Sequence, residues 1–197
     1  AEKAVSLGIA DRATAKVADA VSDADCILVA VPVLAMEGVF AEITEAMRQE
    51  AWVTDVGSTR CGVIAAARKA LGERFSRYAP VHPIAGGEMP GVEYADSALF
   101  SGAKVISTPT DDMNLEAVAF WEKAWEAVGA KLFRMTPETH DRIFAAVSHL
   151  PHVLAYALVD AMAKTPEADE KFRFVGAGFR DFTRIAASSP VMWRDIC

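Results

Sequence analysis

The stretch Asp25-Cys-Ile-Leu-Val-Ala-Val-Pro32 decides the fold class of this chain. It is a continuous apolar run that is too short to form a helix of its own, and it ends at a proline. Such a run is typical of a parallel strand buried on both faces, because a strand with one wet face would alternate apolar and polar residues. We therefore predict a buried strand here.

Helical and strand patterns alternate around this strand. A polar, alanine-rich helical pattern precedes it, and apolar side chains recur at helical spacing after it, at Val39, Ile43 and Met47. The other predicted strands cover residues 52–57, 78–81, 103–107 and 131–135. Because helical patterns separate the strands, we predict a doubly wound parallel sheet of the α/β class.

The pattern changes at Pro137, a residue type that suits the first turn of a helix. Residues 138–164 then show one long helical pattern without a strand signal. Pro151 lies inside this pattern and should kink the helix, because it removes a backbone hydrogen bond. We predict a partial α/β domain over residues 1–136 and an all-helical domain over residues 137–197.

The long helical pattern carries two faces. Its apolar face consists of Ile143, Val147, Leu150, Leu154 and Leu158, and a neighbouring face carries Arg142, His149, His152 and Tyr156. Two histidines beside a proline kink indicate a functional site, although packing alone also explains a kink at this position.

Composition and charge argue against several function classes. The net charge of -7 and the pI near 5.1 offer no basic footprint for nucleic acid. The longest apolar run, residues 26–36, is broken by Pro32 and is far shorter than the roughly 18 residues that span a bilayer. The three cysteines stand far apart, without a disulfide or zinc pattern, and the first residues do not resemble a signal peptide. We predict a cytoplasmic protein with no nucleic-acid or membrane partner.

The stretch Tyr78-Ala-Pro-Val-His-Pro-Ile-Ala-Gly-Gly-Glu88 places a histidine at the carboxyl end of a predicted strand. Open α/β sheets bind ligands at this edge, and histidine titrates near neutral pH. The glycines at 86 and 87 allow a tight return of the chain, so Glu88 is expected to face the same cavity as His82. The alternative is that His82 only caps the strand and Glu88 is a solvated loop residue.

The segment 176–196 is rich in polar groups but too apolar for a solvated loop. Asp181 and Arg184 are three residues apart and would be neighbours on a helix. A guanidinium is well suited to hold a carboxylate through two parallel hydrogen bonds, which indicates a site for an acidic ligand. The alternative is an ion pair between Asp181 and Arg184 that only stabilises the helix.

Four motifs together resemble the prephenate/arogenate (cyclohexadienyl) dehydrogenase family. They are Asp55-Val-Gly-Ser58, His82-Pro-Ile-Ala-Gly-Gly-Glu-Met-Pro-Gly91, Ser148-His-Leu-Pro-His152 and Gly178-Phe-Arg-Asp-Phe-Thr-Arg-Ile-Ala186, in this order. The resemblance covers essentially the whole chain. It implies a Rossmann-type nucleotide-binding domain followed by a helical domain that forms a homodimer. It also implies oxidative decarboxylation of prephenate or arogenate in tyrosine biosynthesis, with NAD, or alternatively NADP, as hydride acceptor.

The resemblance also implies roles for individual residues. His82 is expected to accept the proton of the substrate C4 hydroxyl, Ser58 to bond the same hydroxyl or the imidazole, and Arg184 to bind the ring carboxylate. Further substrate contacts are expected from His149, His152, Asp181, Glu88 and Trp193. The nicotinamide is expected to lie over Val31, Pro32, Asp55, Gly57 and Ser58.

One feature departs from the family pattern. The Gly-x-Gly-x-x-Gly turn that binds a dinucleotide pyrophosphate does not occur in these 197 residues. We therefore expect the chain to be the central part of a longer enzyme and to bind NAD only weakly by itself. The alternatives are a dehydrogenase of the 3-hydroxyacid type and a non-catalytic module that dimerises or binds an effector. A metal site of His82, His149 and His152 is disfavoured, because the His-Glu-x-x-His zinc arrangement is missing.

Overall fold

A five-stranded sheet organises the first part of the chain. The computed structural model describes residues 2–86 and 91–197, which fall into two compact units, Ala1–His140 and Asp141–Cys197. Glu88, one of the expected substrate contacts, lies outside the described residues.

The first unit alternates strands and helices. Its strands are β1 (Cys26–Val29), β2 (Trp52–Asp55), β3 (Tyr78–Ile84), β4 (Lys104–Ser107) and β5 (Lys131–Arg134). Its helices are α1 (Glu2–Ser6), α2 (Val17–Val21), α3 (Met36–Ala46), α4 (Cys61–Leu71) and α5 (Leu115–Ala127). Helix α6 (Pro137–Phe144) begins in this unit and ends in the second. Shorter 3-10 turns cover Val33–Ala35, Gly72–Arg77 and Val92–Tyr94.

The strands follow the order β1-β2-β3-β4-β5 across the sheet. β1, β2 and β3 are parallel, β4 is antiparallel to β3, and β5 is parallel to β4. The predicted α/β class with a mainly parallel sheet is therefore confirmed, and the pairing departs from it only between β3 and β4, which are antiparallel. The described part of the connection between β3 and β4 contains only the 3-10 turn Val92–Tyr94. An antiparallel neighbour needs no helical crossover, whereas a parallel one does.

β3 pairs with a different neighbour along each half of its length. Its first residues pair with β2, where Asp55 stands opposite Pro80. Its later residues pair with β4, where Ser107 stands opposite Val81 and Ile106 opposite His82. His82 therefore lies just past the carboxyl end of β2, on the part of β3 that faces the loop after that strand.

The main core holds β1, β2 and β3 against the helices. It combines buried strand residues with the inner faces of α3 and α4 and with one side of α5: Ile27, Val29, Val53, Tyr78, Met36, Phe40, Ile43, Val63, Ile64, Ala67, Leu71, Val118 and Trp121. Full burial of one large apolar side chain stabilises the fold by about 1.5–3 kcal/mol. The carboxyl ends of the three parallel strands are thus fixed at one edge of the sheet.

The second unit is helical. It contains α7 (Leu150–Ala163), α8 (Ala168–Arg173), α9 (Ala177–Thr183) and α10 (Pro190–Ile196), with a 3-10 turn at Arg184–Ala187. A π-helical turn, Ala145–His149, precedes α7, and in it the Leu150 amide donates to the Ala145 carbonyl five residues earlier. This π-helical turn lies just before Pro151, where the sequence predicts a kink: proline has no N–H to continue the ladder, and the preceding turn widens.

The predicted apolar face of this helix is exposed. Val147 is 66% exposed, Leu150 52% and Leu154 50%, although large apolar side chains usually pack in a core. The helical run Pro137–Ala163 is also long and apolar enough, by length and composition, to cross a membrane. It contains no long unbroken apolar run, because Ser148, His149, His152 and Asp160 interrupt its apolar part.

Candidate active site

The loops after β1 and β2 form one edge of the sheet. β1 and β2 are parallel and Val29 is paired with Asp55, so the residues that follow both strands lie side by side. Val31 and Ser58 are half-buried there and Pro32 is exposed. Val31 and Pro32 offer an apolar surface and Ser58 a hydroxyl, which suits a flat ring with a polar substituent. Their contact with a nicotinamide stays a prediction.

Asp55 is the centre of a buried hydrogen-bond network, and its contact with a cofactor stays a prediction. Its side chain is completely buried, and both carboxylate oxygens are occupied. Oδ1 accepts from the Gly57 amide at 2.7 Å and from Arg60 Nη2 at 2.5 Å. Oδ2 accepts from Arg60 Nη1 at 3.2 Å and from the Tyr78 hydroxyl. Asp55 therefore holds the Gly57-Ser58 turn through its bond to the Gly57 amide.

Tyr78 and Arg60 complete this buried network. Burial, more than the neighbouring Asp55 charge, raises the pKa of Tyr78 well above its usual value, so the phenol stays a hydrogen-bond donor. The Arg60 side chain is fully buried and also donates from Nη1 to the Val81 carbonyl at 3.0 Å. The network thus joins the loop after β2 to the residue before His82. The sequence analysis missed Arg60, although an arginine five residues after a strand-end aspartate was a visible signal.

Gly57 is required by the same network. A Cβ at this position would lie 2.8 Å from Arg60 Nη2, 2.9 Å from Asp55 Oδ1 and 3.2 Å from Met36 Cε. The arginine and the aspartate are held by their bonds to each other and to the backbone, so they have little freedom to move away. Gly57, expected to contact the cofactor, is itself buried and allows the turn to close over the ion pair.

His82 lies against a second histidine that the sequence analysis did not identify. His82 is half-buried, and its Nδ1 lies 2.8 Å from Nε2 of His140, whose side chain is completely buried. The strand register explains the proximity. Ser107 is paired with Val81 on one side and with Arg134 on the other, so the chain that leaves β5 starts α6 beside His82. The sequence signal that could have identified His140 is its place in the first turn of α6, directly after β5.

Three of the expected substrate contacts come together in the second unit. The His152 ring stacks on Trp193, with centroids 3.5 Å apart and planes inclined by 19°. His149 meets the same indole edge-on, with centroids 6.0 Å apart. His152 Nδ1 lies 2.9 Å from the Ser148 carbonyl, which accepts only, so Nδ1 carries the hydrogen and Nε2 is the acceptor. Burial lowers the pKa of His149, with His152 adding to the effect and Asp141 opposing it.

Arg184 and Asp181 are exposed in the same unit. Asp181 lies on α9, and Arg184 begins the 3-10 turn that follows it. This turn packs against α7, where the Tyr156 hydroxyl donates to the Ser188 carbonyl at 2.6 Å. An ion pair between two exposed side chains would contribute at most about 1 kcal/mol, so the purely structural reading of Arg184 is weakened. Its contact with a substrate carboxylate stays a prediction.

Metal-binding groups are not assembled in the described chain. Over residues 2–86 and 91–197, no set of three His, Cys, Asp or Glu side chains is grouped so that it could hold a metal ion.

Comparisons with known proteins match both units. Residues 1–134 match the family model described as the prephenate dehydrogenase nucleotide-binding domain, and residues 136–197 match the prephenate dehydrogenase dimerization domain. A cyclohexadienyl dehydrogenase of Zymomonas mobilis is 35% identical over 99% of this chain and 67% of its own length. A prephenate dehydrogenase of Bacillus subtilis is 34% identical over 98% of this chain and 52% of its own length.

A solved structure agrees with these matches. The crystal structure of prephenate dehydrogenase from Aquifex aeolicus, in complex with hydroxyphenyl propionate and NAD+, superposes with a TM-score of 0.91 at 41% identity. It covers 99% of this chain, and the chain covers 68% of it. The chain thus spans between about half and two thirds of its relatives' length. The family that the four motifs indicated is confirmed: this chain belongs to the prephenate dehydrogenase family.

Proposed function

We propose that the full-length protein oxidises prephenate or arogenate, with NAD as the hydride acceptor, and so supplies a precursor of tyrosine. The observation that carries this proposal is the position of His82. It stands just past the carboxyl end of the parallel strand β2, half-buried, with its Nδ1 2.8 Å from Nε2 of the buried His140. The nucleotide-binding domain match and the NAD+ complex of the Aquifex aeolicus relative support the choice of cofactor.

The residues at the sheet edge fit a nicotinamide. Val31 and Pro32 supply an apolar surface, and Ser58 supplies a hydroxyl at the end of the neighbouring strand. The buried Asp55–Arg60 pair fixes the turn that carries Ser58, so this surface is rigid before a ligand arrives. When bound, the cofactor would take up a hydride from the substrate C4 carbon. NAD rather than NADP is part of the proposal.

His82 would manage the proton in this reaction. As the C4 hydrogen leaves with its electron pair, Nε2 of His82 takes the hydroxyl proton, and C4 becomes a carbonyl carbon. Loss of the ring carboxylate as carbon dioxide leaves its bonding electrons in the ring, which becomes aromatic. The C4 oxygen then recovers a proton from the His82 imidazolium, so a phenol forms and His82 returns to its starting state.

The substrate carboxylates need cationic or donating partners. Arg184 is proposed to hold the ring carboxylate through two parallel hydrogen bonds. His149, His152 and Trp193 are proposed to contact the substrate as one aromatic cluster, since Trp193 stacks on His152 and meets His149. Asp181 and Glu88 are proposed as further contacts that balance the charge of the site.

We also propose that the second unit forms a homodimer through its exposed apolar face. Residues 136–197 match a dimerization domain, and an exposed apolar stripe usually marks an interface. A membrane span would fit the length of this helix. However, it would place His149, His152 and Arg142 in hydrocarbon, where such residues are rare. The three cysteines are exposed and none is in a disulfide, which suits a reducing compartment, and we propose that the protein is cytoplasmic.

An assay of the full-length protein tests the proposal. Purified protein is mixed with prephenate or arogenate and with NAD or NADP, and the absorbance of the reduced cofactor is followed while the product is identified. We expect oxidation with NAD and release of carbon dioxide in equal amount. No oxidation of either substrate with either cofactor would contradict the proposal.

A further inference from the structure

We propose that His140 is a positioning residue that fixes the ring of His82 in the tautomer able to accept the substrate proton. This inference rests on the proposed function, in which His82 is the base, and adds a second histidine that does not contact the substrate. Its basis is the 2.8 Å distance between His82 Nδ1 and His140 Nε2 and the complete burial of the His140 side chain.

The short distance restricts the hydrogens on the two rings. Only one hydrogen fits between two nitrogens at 2.8 Å, so one nitrogen donates and the other accepts. A neutral imidazole carries one hydrogen. If His82 Nδ1 donates, its Nε2 has a free electron pair and is a base. If His140 Nε2 donates instead, His82 carries its hydrogen on Nε2 and cannot accept a proton there.

Burial of His140 favours the arrangement in which His82 Nδ1 donates to His140 Nε2 once His82 is charged. An imidazolium in place of the fully buried His140 would be costly, so His140 is expected to remain neutral. After His82 has taken the substrate proton, its Nδ1–H still points at the lone pair of His140. The bond is then charge-assisted and stronger than before, which stabilises the imidazolium when it forms.

The backbone holds both rings in place. His82 lies on β3, paired with Ile106 of β4. His140 lies in the first turns of α6, where its amide donates to the Thr136 carbonyl at 2.9 Å and Thr136 Oγ1 accepts from the Thr139 amide at 3.2 Å. The rings meet edge-on, with centroids 5.1 Å apart and planes inclined by 63°. The acceptor is therefore preorganised, as a positioning role requires.

Two substitutions in the full-length protein separate positioning from packing. His140→Leu fills a similar volume with an apolar side chain but removes the hydrogen-bond acceptor. His140→Gln instead places an amide oxygen near the position of Nε2. We expect His140→Leu to lower kcat by about 10–100-fold, by analogy with the loss that follows removal of the hydrogen-bond partner of a metal-binding histidine. KM values should change much less. His140→Gln should recover most of the lost kcat, whereas a role in packing alone predicts no such rescue.

A double variant tests whether His140 acts through His82. In the background of His82→Asn, the further change His140→Leu should lower kcat no more, because the ring that His140 orients is already gone. If the two substitutions lower kcat independently, so that their fold-losses multiply in the double variant, the proposal is contradicted.

Nitrogen-15 NMR of the imidazole rings supplies a readout that does not need activity. We expect the His82 ring of the wild-type protein to carry its hydrogen on Nδ1, and His140→Leu to shift it toward the other tautomer. A wild-type His82 ring with its hydrogen on Nε2 would overturn the inference, even if His140→Leu fails to fold. A His140→Leu variant with wild-type kcat and an unchanged tautomer would also overturn it. If the wild-type protein oxidises neither substrate, the proposed function fails, and the NMR result still decides whether His140 orients His82.

Discussion

The guanidinium of Arg60 donates a hydrogen bond of 3.0 Å to the carbonyl oxygen of Val81, the residue immediately before His82. The same guanidinium forms a completely buried ion pair with Asp55, at the end of the neighbouring strand. One side chain thus ties the loop that carries Ser58 to the strand that carries His82. The buried network therefore fixes the position of Ser58 relative to His82.

Removal of Arg60 should destabilise the fold strongly. Arg60→Ala leaves the Asp55 carboxylate buried without its cation, which costs about 3–5 kcal/mol in the free energy of unfolding. Urea denaturation of the full-length protein measures this. Arg68→Ala is the matched control, since Arg68 pairs with Asp112 at the surface and should contribute no more than about 1 kcal/mol. Equal effects of the two substitutions would contradict the assigned role of Arg60.

A methyl group at Gly57 should disturb the same network. Gly57→Ala places a Cβ within 3 Å of the Arg60 and Asp55 side chains, and overpacking of this kind costs about 1–3 kcal/mol. Gly62→Ala is the control: Gly62 lies in α4 with open space around it, so alanine should raise stability by up to about 1 kcal/mol. The two alanine variants should therefore move the urea midpoint in opposite directions. A Gly57→Ala variant as stable as the wild type would show that the turn has room for a side chain.

The sequence predicted most of the sheet because burial leaves a local signature. The apolar run at residues 25–32 and the strand beginning at Tyr78 both appear in the structure as β1 and β3. The direction of β4 was not predictable in this way, because its apolar pattern is the same in either orientation. Its antiparallel pairing depends on the connection from β3, which lacks a helical pattern.

The site was predicted less completely, because its contacts join distant residues. His82 and His140 are 58 residues apart, and only the register of β3, β4 and β5 brings them together. The resemblance placed Asp55 near the cofactor, and its buried pair with Arg60 was not visible from sequence spacing, because only the folded sheet encloses both side chains.

Arg184 should act on substrate binding rather than on stability. If it binds the ring carboxylate, Arg184→Gln removes a charged contact worth about 2–5 kcal/mol, so KM should rise by tens-fold to thousands-fold. The melting temperature should change little, because Arg184 is exposed in the free protein. Arg184→Lys keeps the charge but loses the two-pronged geometry and should restore little of the affinity. A lysine variant with wild-type KM would contradict the carboxylate contact.

The exposed apolar face of the second unit should determine the oligomeric state. Val147→Glu introduces a charge at a position that is 66% exposed in the single chain, so the monomer should tolerate it. In a dimer the same charge would be buried without a partner, and sedimentation should show dissociation. Glu170→Lys, at an exposed position on α8, is the charge-altering control and should remain dimeric. If Val147→Glu sediments as the wild type does, the proposed dimerisation through this apolar face is contradicted.

The most direct test of the account is the turnover of the full-length protein with His82→Asn. Asparagine keeps a polar side chain of similar reach but cannot accept a proton from the substrate hydroxyl near neutral pH. We expect kcat for prephenate or arogenate oxidation to fall by about two to four orders of magnitude, the range for loss of a general base. KM and the melting temperature should stay close to the wild-type values. A His82→Asn variant that turns over within a few-fold of the wild type would show that His82 is not the base.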